Sequence, residues 1–148
     1  MAKRLKVVLL DGWSDHSREN SDGPPTFLRD RSKVPGAFQV SFAEYKGGEV
    51  PNPSPDDLLA LARGTAEREE GAQLLETASG ECTFGIWGTA VFRTSHCPRF
   101  QVWHLSNGRD FIFVTHIFCN DPDPNEVPEA QKIVNSLNLA DNPWWRFW

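Results

Sequence analysis

The sequence predicts an α+β fold in which helices flank an antiparallel β-sheet, in the order β-β-β-α-β-β-β-α. Three observations lead to this prediction. Asn107-Gly108 separates two alternating apolar runs, 101–106 and 109–118, and this is the strongest short-range signal for a β-hairpin. Segments 54–65 and 127–137 carry apolar residues at helical spacing. The other apolar runs are short and alternate with period two, which is typical of strands.

Size and charge narrow the class of protein. The 148 residues predict one domain, 1–148, that ends in an aromatic tail, 141–148. A hydrophobic share of 39% and a charged share of 24% are ordinary for a globular chain. The net charge of −5 argues against nucleic acid as a partner, because binding to a phosphate backbone needs a basic surface.

The first half of the chain predicts three strands before a helix. Leu5–Leu10 and Thr26–Arg29 are short apolar runs, and Ser14–Pro25 between them has the composition of a loop. In Ala37–Tyr45, three apolar side chains alternate with polar ones, which indicates a half-buried strand.

The first helix has a recognisable start. Ser54 is the expected N-cap, Pro55 stands where a missing N–H does no harm, and two aspartates follow at the positive end of the helix dipole. The predicted apolar face consists of Leu58, Leu61, Ala62 and Thr65. The charged run 67–70 is expected to be the solvated end of the helix.

The second half predicts a strand over Ser79–Arg93, then the hairpin, then a second helix. Gly85 and Gly88 indicate a bulge or a close backbone approach within that strand. With a two-residue loop at Asn107-Gly108, Trp103 is expected to pair with Ile112. Both faces of the hairpin are then apolar, so something must cover each of them. The buried stripe of the second helix is predicted to be Val127, Ala130, Ile133, Val134 and Leu137.

The chain resembles the PsbP/DcrB-like family in the order of its elements. The resemblance rests on an opening strand that ends in Asp11-Gly12-Trp13, the strand 37–45 before a mid-chain helix, and the closing hairpin followed by a helix. It implies an α/β/α sandwich. It also implies a non-catalytic role, since members include a photosystem accessory subunit, a Ran-binding nuclear protein and chaperones for bacterial secreted toxins.

The expected compartment is the cytoplasm. Family members such as DcrB and PsbP carry export signals, whereas here the apolar run Val7–Leu10 is too short for a signal core or a membrane span. Three cysteines, an odd number without C-x-x-C spacing, do not predict a secreted disulfide framework.

One group of residues has the chemistry of a metal site. The predicted hairpin register brings His96, Cys97, His116 and Cys119 to its open end, and imidazoles and thiols suit Zn²⁺. However, Pro98 is expected to bend the strand away, and the cysteines are equally explained as ordinary half-buried residues. We therefore expect no metal and no cofactor. No catalytic signature is present, and an enzyme that uses this cluster, acting on a small ligand or with a metal, is the alternative.

The tail is the other unusual feature. Trp144, Trp145, Arg146, Phe147 and Trp148 put four aromatic residues at the end of the chain. They are expected to fold back onto the sheet or to pair with a second copy of the chain, so that deleting 142–148 should cost folding stability. The alternative is a patch that docks a partner, to which Trp103 on the hairpin would also contribute.

Together these observations predict a non-catalytic, cytoplasmic module that binds another protein. Two versions follow from the resemblance and the acidic charge: an accessory chaperone or adaptor of a secretion system, or an immunity protein that masks a basic toxin. The expected partner is thus a toxin or a secreted effector, with no nucleic acid and no membrane span.

Overall fold

The computed structural model describes residues 3–20 and 22–141 of the chain. Its elements, in chain order, are β1 (Lys3–Lys6), β2 (Trp13–Asp15), a 3₁₀ helix (Ser17–Asn20), β3 (Thr26–Arg29), β4 (Ala37–Ala43), α1 (Pro55–Arg68), β5 (Gln73–Glu81), β6 (Ile86–Arg93), β7 (Arg99–Ser106), β8 (Phe111–Phe118), α2 (Glu126–Ser136) and β9 (Asn138–Asp141).

Seven strands form an antiparallel sheet in the order β2-β3-β4-β8-β7-β6-β5, and β1 pairs with β9 in a separate two-stranded sheet. The two helices pack on opposite faces of the large sheet. Ala62 and Ala66 of α1 contact one face, and Ile133 and Val134 of α2 contact the other. The predicted α+β class, with helices against an antiparallel sheet, is confirmed.

The core has two parts because the central strands β6 and β7 bury residues on both of their faces. Residues of β7 alternate between them: Val102 packs beneath α1, while Trp103 and Leu105 pack beneath α2. All three side chains are fully buried. The apolar character of both hairpin faces therefore arises from helices of this chain on both sides of the sheet.

The strand predicted over 79–93 is wrong in its extent, because this region forms a hairpin of β5 and β6. The chain reverses at 82–85, where Gly85 has a φ of +156° and a side chain there would collide with the carbonyl oxygen of Ser106. Two further strands, β2 and β9, were not predicted. The first strand lies at 3–6 instead of 5–10.

The predicted register of the β7–β8 hairpin is also wrong, by two residues. Trp103 pairs with Val114, and Leu105 pairs with Ile112. The connection has four residues because the side chain of Asn107 accepts hydrogen bonds from the backbone N–H groups of Arg109 (3.0 Å) and Asp110 (2.8 Å). A shift of two leaves each side chain on its predicted face, because the side-chain period of a strand is two.

Helix α1 begins as predicted and lies very close to β6. The Ser54 side chain accepts from Asp57 N–H, and the Asp57 carboxylate accepts from Ser54 N–H, which completes a capping box. The expected apolar face is corrected at Leu61, which is 44% exposed, while Ala66 is buried instead. A Cβ at Gly88 would stand 2.4 Å from the backbone nitrogen of Leu59, so the predicted close approach is confirmed there.

Within the described residues, no helix combines the length and apolar character needed to cross a membrane.

Candidate functional site

The candidate site is the part of the α1 face that α1 leaves uncovered. Helix α1 packs over β5, β6 and β7, so within the described residues β8 and β4 lie open beside it. Antiparallel pairs place Thr115 next to Gln39, and Phe113 next to Ser41, on this face. We call this surface the open trough. It has a volume of about 260 Å³ and is lined by Pro24, Gln39, Ser41, Phe113, Thr115 and Ile117, with the Val40 backbone below.

His104 forms the boundary between α1 and the open trough. Its ring lies 4.9 Å from that of Phe113, centroid to centroid, and its Nε2 is 3.5 Å from Thr65 Oγ1 on α1. Burial, with a smaller contribution from the charge of Arg68, lowers the pKa of His104 to about 4. The imidazole is therefore neutral at pH 7 and brings no charge to the α1 side of Phe113.

Three other cavities of the described residues are larger, at about 490, 430 and 360 Å³, and segments outside the strands form part of the lining of each. One of about 430 Å³ lies between the loops at 33–34 and 120–123. Another, of about 490 Å³, separates the segment that follows β1 from β3, with Leu5, Val7 and Leu9 on one wall. The open trough is singled out because two adjacent strands hold its lining residues at fixed spacing, and rigid elements position a site better than loops do.

A partly buried ionic network, centred on the buried Arg29, joins the start of α2 to the far edge of the sheet. Arg29 on β3 donates from Nε to both carboxylate oxygens of Glu129, each at 3.2 Å, and from Nη1 to Asp123 at 3.3 Å. Trp13 Nε1 donates to Glu129 as well, at 3.0 Å. Burial pushes the pKa of Glu129 up, but these hydrogen bonds together outweigh it, so the pKa lies below its ordinary value. The network attaches α2 to β2 and β3.

A second buried pair lies nearby on β8. His116 Nε2 donates to Glu126 Oε2 at 2.7 Å, and the Gly36 N–H donates to the same oxygen at 2.9 Å. Both side chains are buried, and burial lowers the pKa of His116 despite the neighbouring carboxylate. Since the imidazole and the carboxylate bind each other, the arrangement connects β8 to the first turn of α2 and the 36 loop.

The residues predicted as a metal cluster are not brought together. His96 and Cys97 lie in the connection between β6 and β7, and Cys119 is exposed just after β8. His116 pairs across from Gln101, whereas the predicted register put it opposite Arg99. No group of three or more metal-ligating side chains occurs within residues 3–20 and 22–141.

The predicted partner-binding residues divide into two sets. Trp103 is fully buried beneath α2 and donates from Nε1 to Gln131 Oε1 at 3.1 Å, so it presents no surface to a partner. Trp144, Trp145, Arg146, Phe147 and Trp148 lie outside the described residues. The expectations about the tail, including a homodimer through it, stay predictions.

Sequence reasoning missed both the open trough and the buried pairs. One signal was present for the second: Glu126 precedes Ala130, Ile133 and Val134 by four, seven and eight residues, which puts a carboxylate on the buried stripe of α2. A buried carboxylate requires a hydrogen-bonding partner. The alternation of the hairpin predicts that His116 lies on the α2 side of the sheet. Because the predicted register is wrong, it does not identify His116 as the partner of Glu126.

Comparison with solved structures finds the same architecture at low sequence identity. LpqN from Mycobacterium tuberculosis, involved in cell envelope biogenesis, aligns with a TM-score of 0.62 at 13% identity, over 95% of this chain and 85% of its own. Cyanobacterial PsbP (CyanoP) from Synechocystis sp. PCC 6803 aligns with a TM-score of 0.55 at 11% identity, over 92% of each chain. The fold is PsbP-like. No family model matches the sequence, and no curated protein sequence matches it. At such identities the PsbP-like likeness establishes the fold alone.

Proposed function

We propose that this PsbP-like chain is a non-catalytic binding module whose open trough holds an extended segment of another protein. One observation carries the proposal: in the described part of the chain, a strand-lined region of the sheet face stands uncovered directly beside α1. From Phe113 to Ile117 the floor is about 13 Å long at the rise of a β-strand. That length matches about four residues of an extended peptide.

The chemistry of the trough favours an apolar segment with some hydrogen-bonding capacity. Phe113 and Ile117 provide apolar area, and Thr115 and Ser41 provide hydroxyl groups. Neutral His104 adds no charge at the α1 side. A partly apolar surface with a few polar groups is typical of sites that bind by shape and burial.

Of the two finer versions, the trough favours an accessory chaperone or adaptor that holds an apolar segment of a secreted client. An immunity protein that masks a basic toxin is supported by the net charge of −5. In both versions the chain acts in the cytoplasm, and the free thiols of Cys82, Cys97 and Cys119 are compatible with that compartment.

An enzyme is the weaker alternative for physical reasons. General acid–base catalysis works best when the catalytic pKa lies near the working pH. The pKa of His104, about 4, is far from neutrality, and His116 is buried against Glu126. The described imidazoles of the sheet are therefore better suited to holding structure than to moving protons.

The proposal is tested by placing a large charged side chain on the trough floor. Wild-type protein is used to select peptides from a displayed library of random peptides, and the affinity of the enriched peptides is measured by calorimetry. We expect apolar peptides that bind wild type and lose binding in Thr115→Arg and Ser41→Arg. The melting temperatures should not change, since both side chains face the open trough.

Thr77→Arg is the matched control. Thr77 is an exposed residue on the same sheet face, but it lies on β5, with α1 between it and the trough. It should bind the peptides as wild type does. Selection that enriches no peptide, or peptides that bind Thr115→Arg as tightly as wild type, would overturn the trough as the binding surface.

A further inference from the structure

Two arginines stand side by side at one corner of the sheet, on the face opposite the open trough. Phe92 of β6 pairs with Phe100 of β7, and their rings stack at 4.6 Å on the α1 side. The next residues outward, Arg93 and Arg99, therefore point to the α2 side. Like charges at neighbouring cross-strand positions repel each other, so this arrangement costs free energy unless an anion compensates it.

Both guanidinium groups are oriented by neutral side chains. Arg93 donates from Nε (2.9 Å) and Nη2 (2.7 Å) to Gln73 Oε1. Arg99 donates from Nη2 to Gln101 Oε1 at 3.1 Å. Gln101 is buried, and its own amide donates to Thr89 Oγ1 at 3.0 Å. An amide oxygen orients an arginine but leaves its full positive charge, whereas a carboxylate would neutralise it.

Arg99 is also short of acceptors. A guanidinium has five N–H donors, and the buried Nε of Arg99 has no hydrogen-bond partner. Neither arginine belongs to an ion pair of the described residues.

Glu76 and His116 are the titratable groups of the described residues that interact electrostatically with Arg99. The carboxylate of Glu76, on β5, acts on Arg99 through its charge and favours the protonated guanidinium. His116 lies next to it across Gln101, and the charge of Arg99 disfavours protonation of that imidazole. Burial lowers the pKa of Arg99, which remains protonated, so its charge stands in surroundings where an ionic hydrogen bond is stronger than in water.

We propose that Arg93 and Arg99 form an oxyanion site that binds a carboxylate or a phosphate group. The guanidinium N–H groups that do not bind Gln73 or Gln101 can donate to the oxygens of either group. Gln73 and Gln101 are positioning residues for this site, and Glu76 competes with the ligand. The site is independent of the open trough, since it lies on the other face of the sheet.

The experiment follows the Nε–Hε resonances of the arginines by ¹⁵N NMR during two separate titrations of the full chain. One titration uses inorganic phosphate and the other uses succinate, at constant ionic strength. We expect saturable shifts of the Arg99 resonance with at least one of them. Tighter binding of phosphate assigns the site to phosphate groups, and tighter binding of succinate assigns it to carboxylates.

Four substitutions make the result specific. Arg93→Gln and Arg99→Lys should each weaken binding at least about tenfold, since each removes charge-assisted hydrogen bonds. Gln73→Leu, which changes no charge, should weaken it about threefold, because Arg93 loses its orientation. Glu76→Gln should tighten it.

Arg63→Gln is the charge-matched control, since Arg63 is an exposed residue of α1. It should leave the affinity within about twofold of wild type, because distant surface charges are screened by salt. Shifts that do not saturate, or an affinity that falls equally in Arg63→Gln and Arg93→Gln, would overturn the site. An unchanged affinity in Gln73→Leu would overturn the orientation by amides, and an unchanged affinity in Glu76→Gln would overturn the competition by Glu76.

Discussion

The neutral state of His104 makes the stability of the protein depend on pH. Its pKa is about 4 in the folded chain, against an ordinary value of 6.5. Between these values the unfolded chain takes up a proton that the folded chain does not, so acid favours unfolding. We expect the contribution of His104 to the free energy of unfolding to be complete above about pH 6.5 and to be lost as the pH falls towards about 4. Urea unfolding of His104→Gln at several pH values should show a smaller acid loss than wild type.

His16 provides a control of opposite sign. Hydrogen bonding to Glu19 raises the pKa of His16, so its stabilisation is present below the unfolded value and is lost as the pH rises through the folded value. His16→Gln should therefore reduce stability in acid and leave the loss due to His104 intact. Burial lowers the pKa of His116 too, which leaves a residual acid loss in His104→Gln. An acid loss identical in His104→Gln and wild type would refute the assignment.

Replacing one partner of the buried His116–Glu126 pair should lower the free energy of unfolding strongly, whereas replacing both partners with apolar residues should lower it less. In His116→Phe the fully buried carboxylate of Glu126 would keep one donor, the N–H of Gly36. A buried charge that loses its partner typically costs about 3–5 kcal/mol of unfolding free energy. The double variant His116→Phe, Glu126→Met removes the charge as well and should be the more stable of the two in denaturant unfolding. Equal or greater destabilisation of the double variant would show that the carboxylate is satisfied without His116.

At the scale of elements, the position of α1 on the sheet depends on one glycine. A Cβ at Gly88 would lie 2.4 Å from Leu59 N and 2.5 Å from Leu58 C, both backbone atoms that cannot move alone. Gly88→Ala should therefore push α1 away from β6 and lower the free energy of unfolding by about 1–3 kcal/mol or more. Gly64, inside α1 with open space around it, is the contrasting case. Gly64→Ala should stabilise the chain by about 1 kcal/mol. Thermal unfolding measures both, and a stable Gly88→Ala protein would disprove the constraint.

The elements predicted from sequence are those whose signals are local. The N-cap at Ser54, the stripe of α2 and the strand over 37–43 need no distant partner to be recognised. By contrast, β2 and β9 are three and four residues long and exist because β3 and β1 pair with them. The turn between β5 and β6 has no Asn-Gly signal, so the sequence predicts one strand where the structure has two.

The candidate site was beyond sequence reasoning for a different reason. The alternation of β7 and β8 correctly indicated two apolar faces, and hence Phe113 and Ile117 on one of them. Which part of a face a helix covers depends on where the helix packs. That is decided by the close contact at Gly88, three strands away from the trough's outer edge. The two arginines, six positions apart, become neighbours only once the β6–β7 register is known.

At the scale of the whole molecule, the two faces of the sheet differ in how they are closed. On the α2 side, apolar residues from the segment that follows β1 pack beside α2, and ionic contacts from β3 and β8 hold the start of the helix. On the α1 side, the described residues cover β5, β6 and β7 with α1 and leave β8 and β4 open. This asymmetry places the proposed protein-binding surface where binding does not require any part of the core to open.

The same asymmetry predicts which strands unfold locally and which exchange their amide hydrogens only when the whole molecule unfolds. Amides that exchange only through global unfolding are found where strands are paired on both sides and buried on both faces. Strand β7, which lies between β8 and β6 with a helix over each face, meets both conditions, and β8 is paired on both sides and buried on its α2 face. Strand β5 lies at the edge of the sheet, and nearly all of its side chains are exposed. The β1–β9 pair has four residues on each strand. Both therefore lose fewer contacts than β8 does when they separate from their neighbours. Hydrogen exchange followed by mass spectrometry should therefore show the slowest exchange in β8 and β7 and the fastest among the strands in β1, β9 and β5. Protection in β1 and β9 equal to that in β8 would mean that the small sheet opens only when the whole sandwich does, and that the segment after β1 is part of the main cooperative unit.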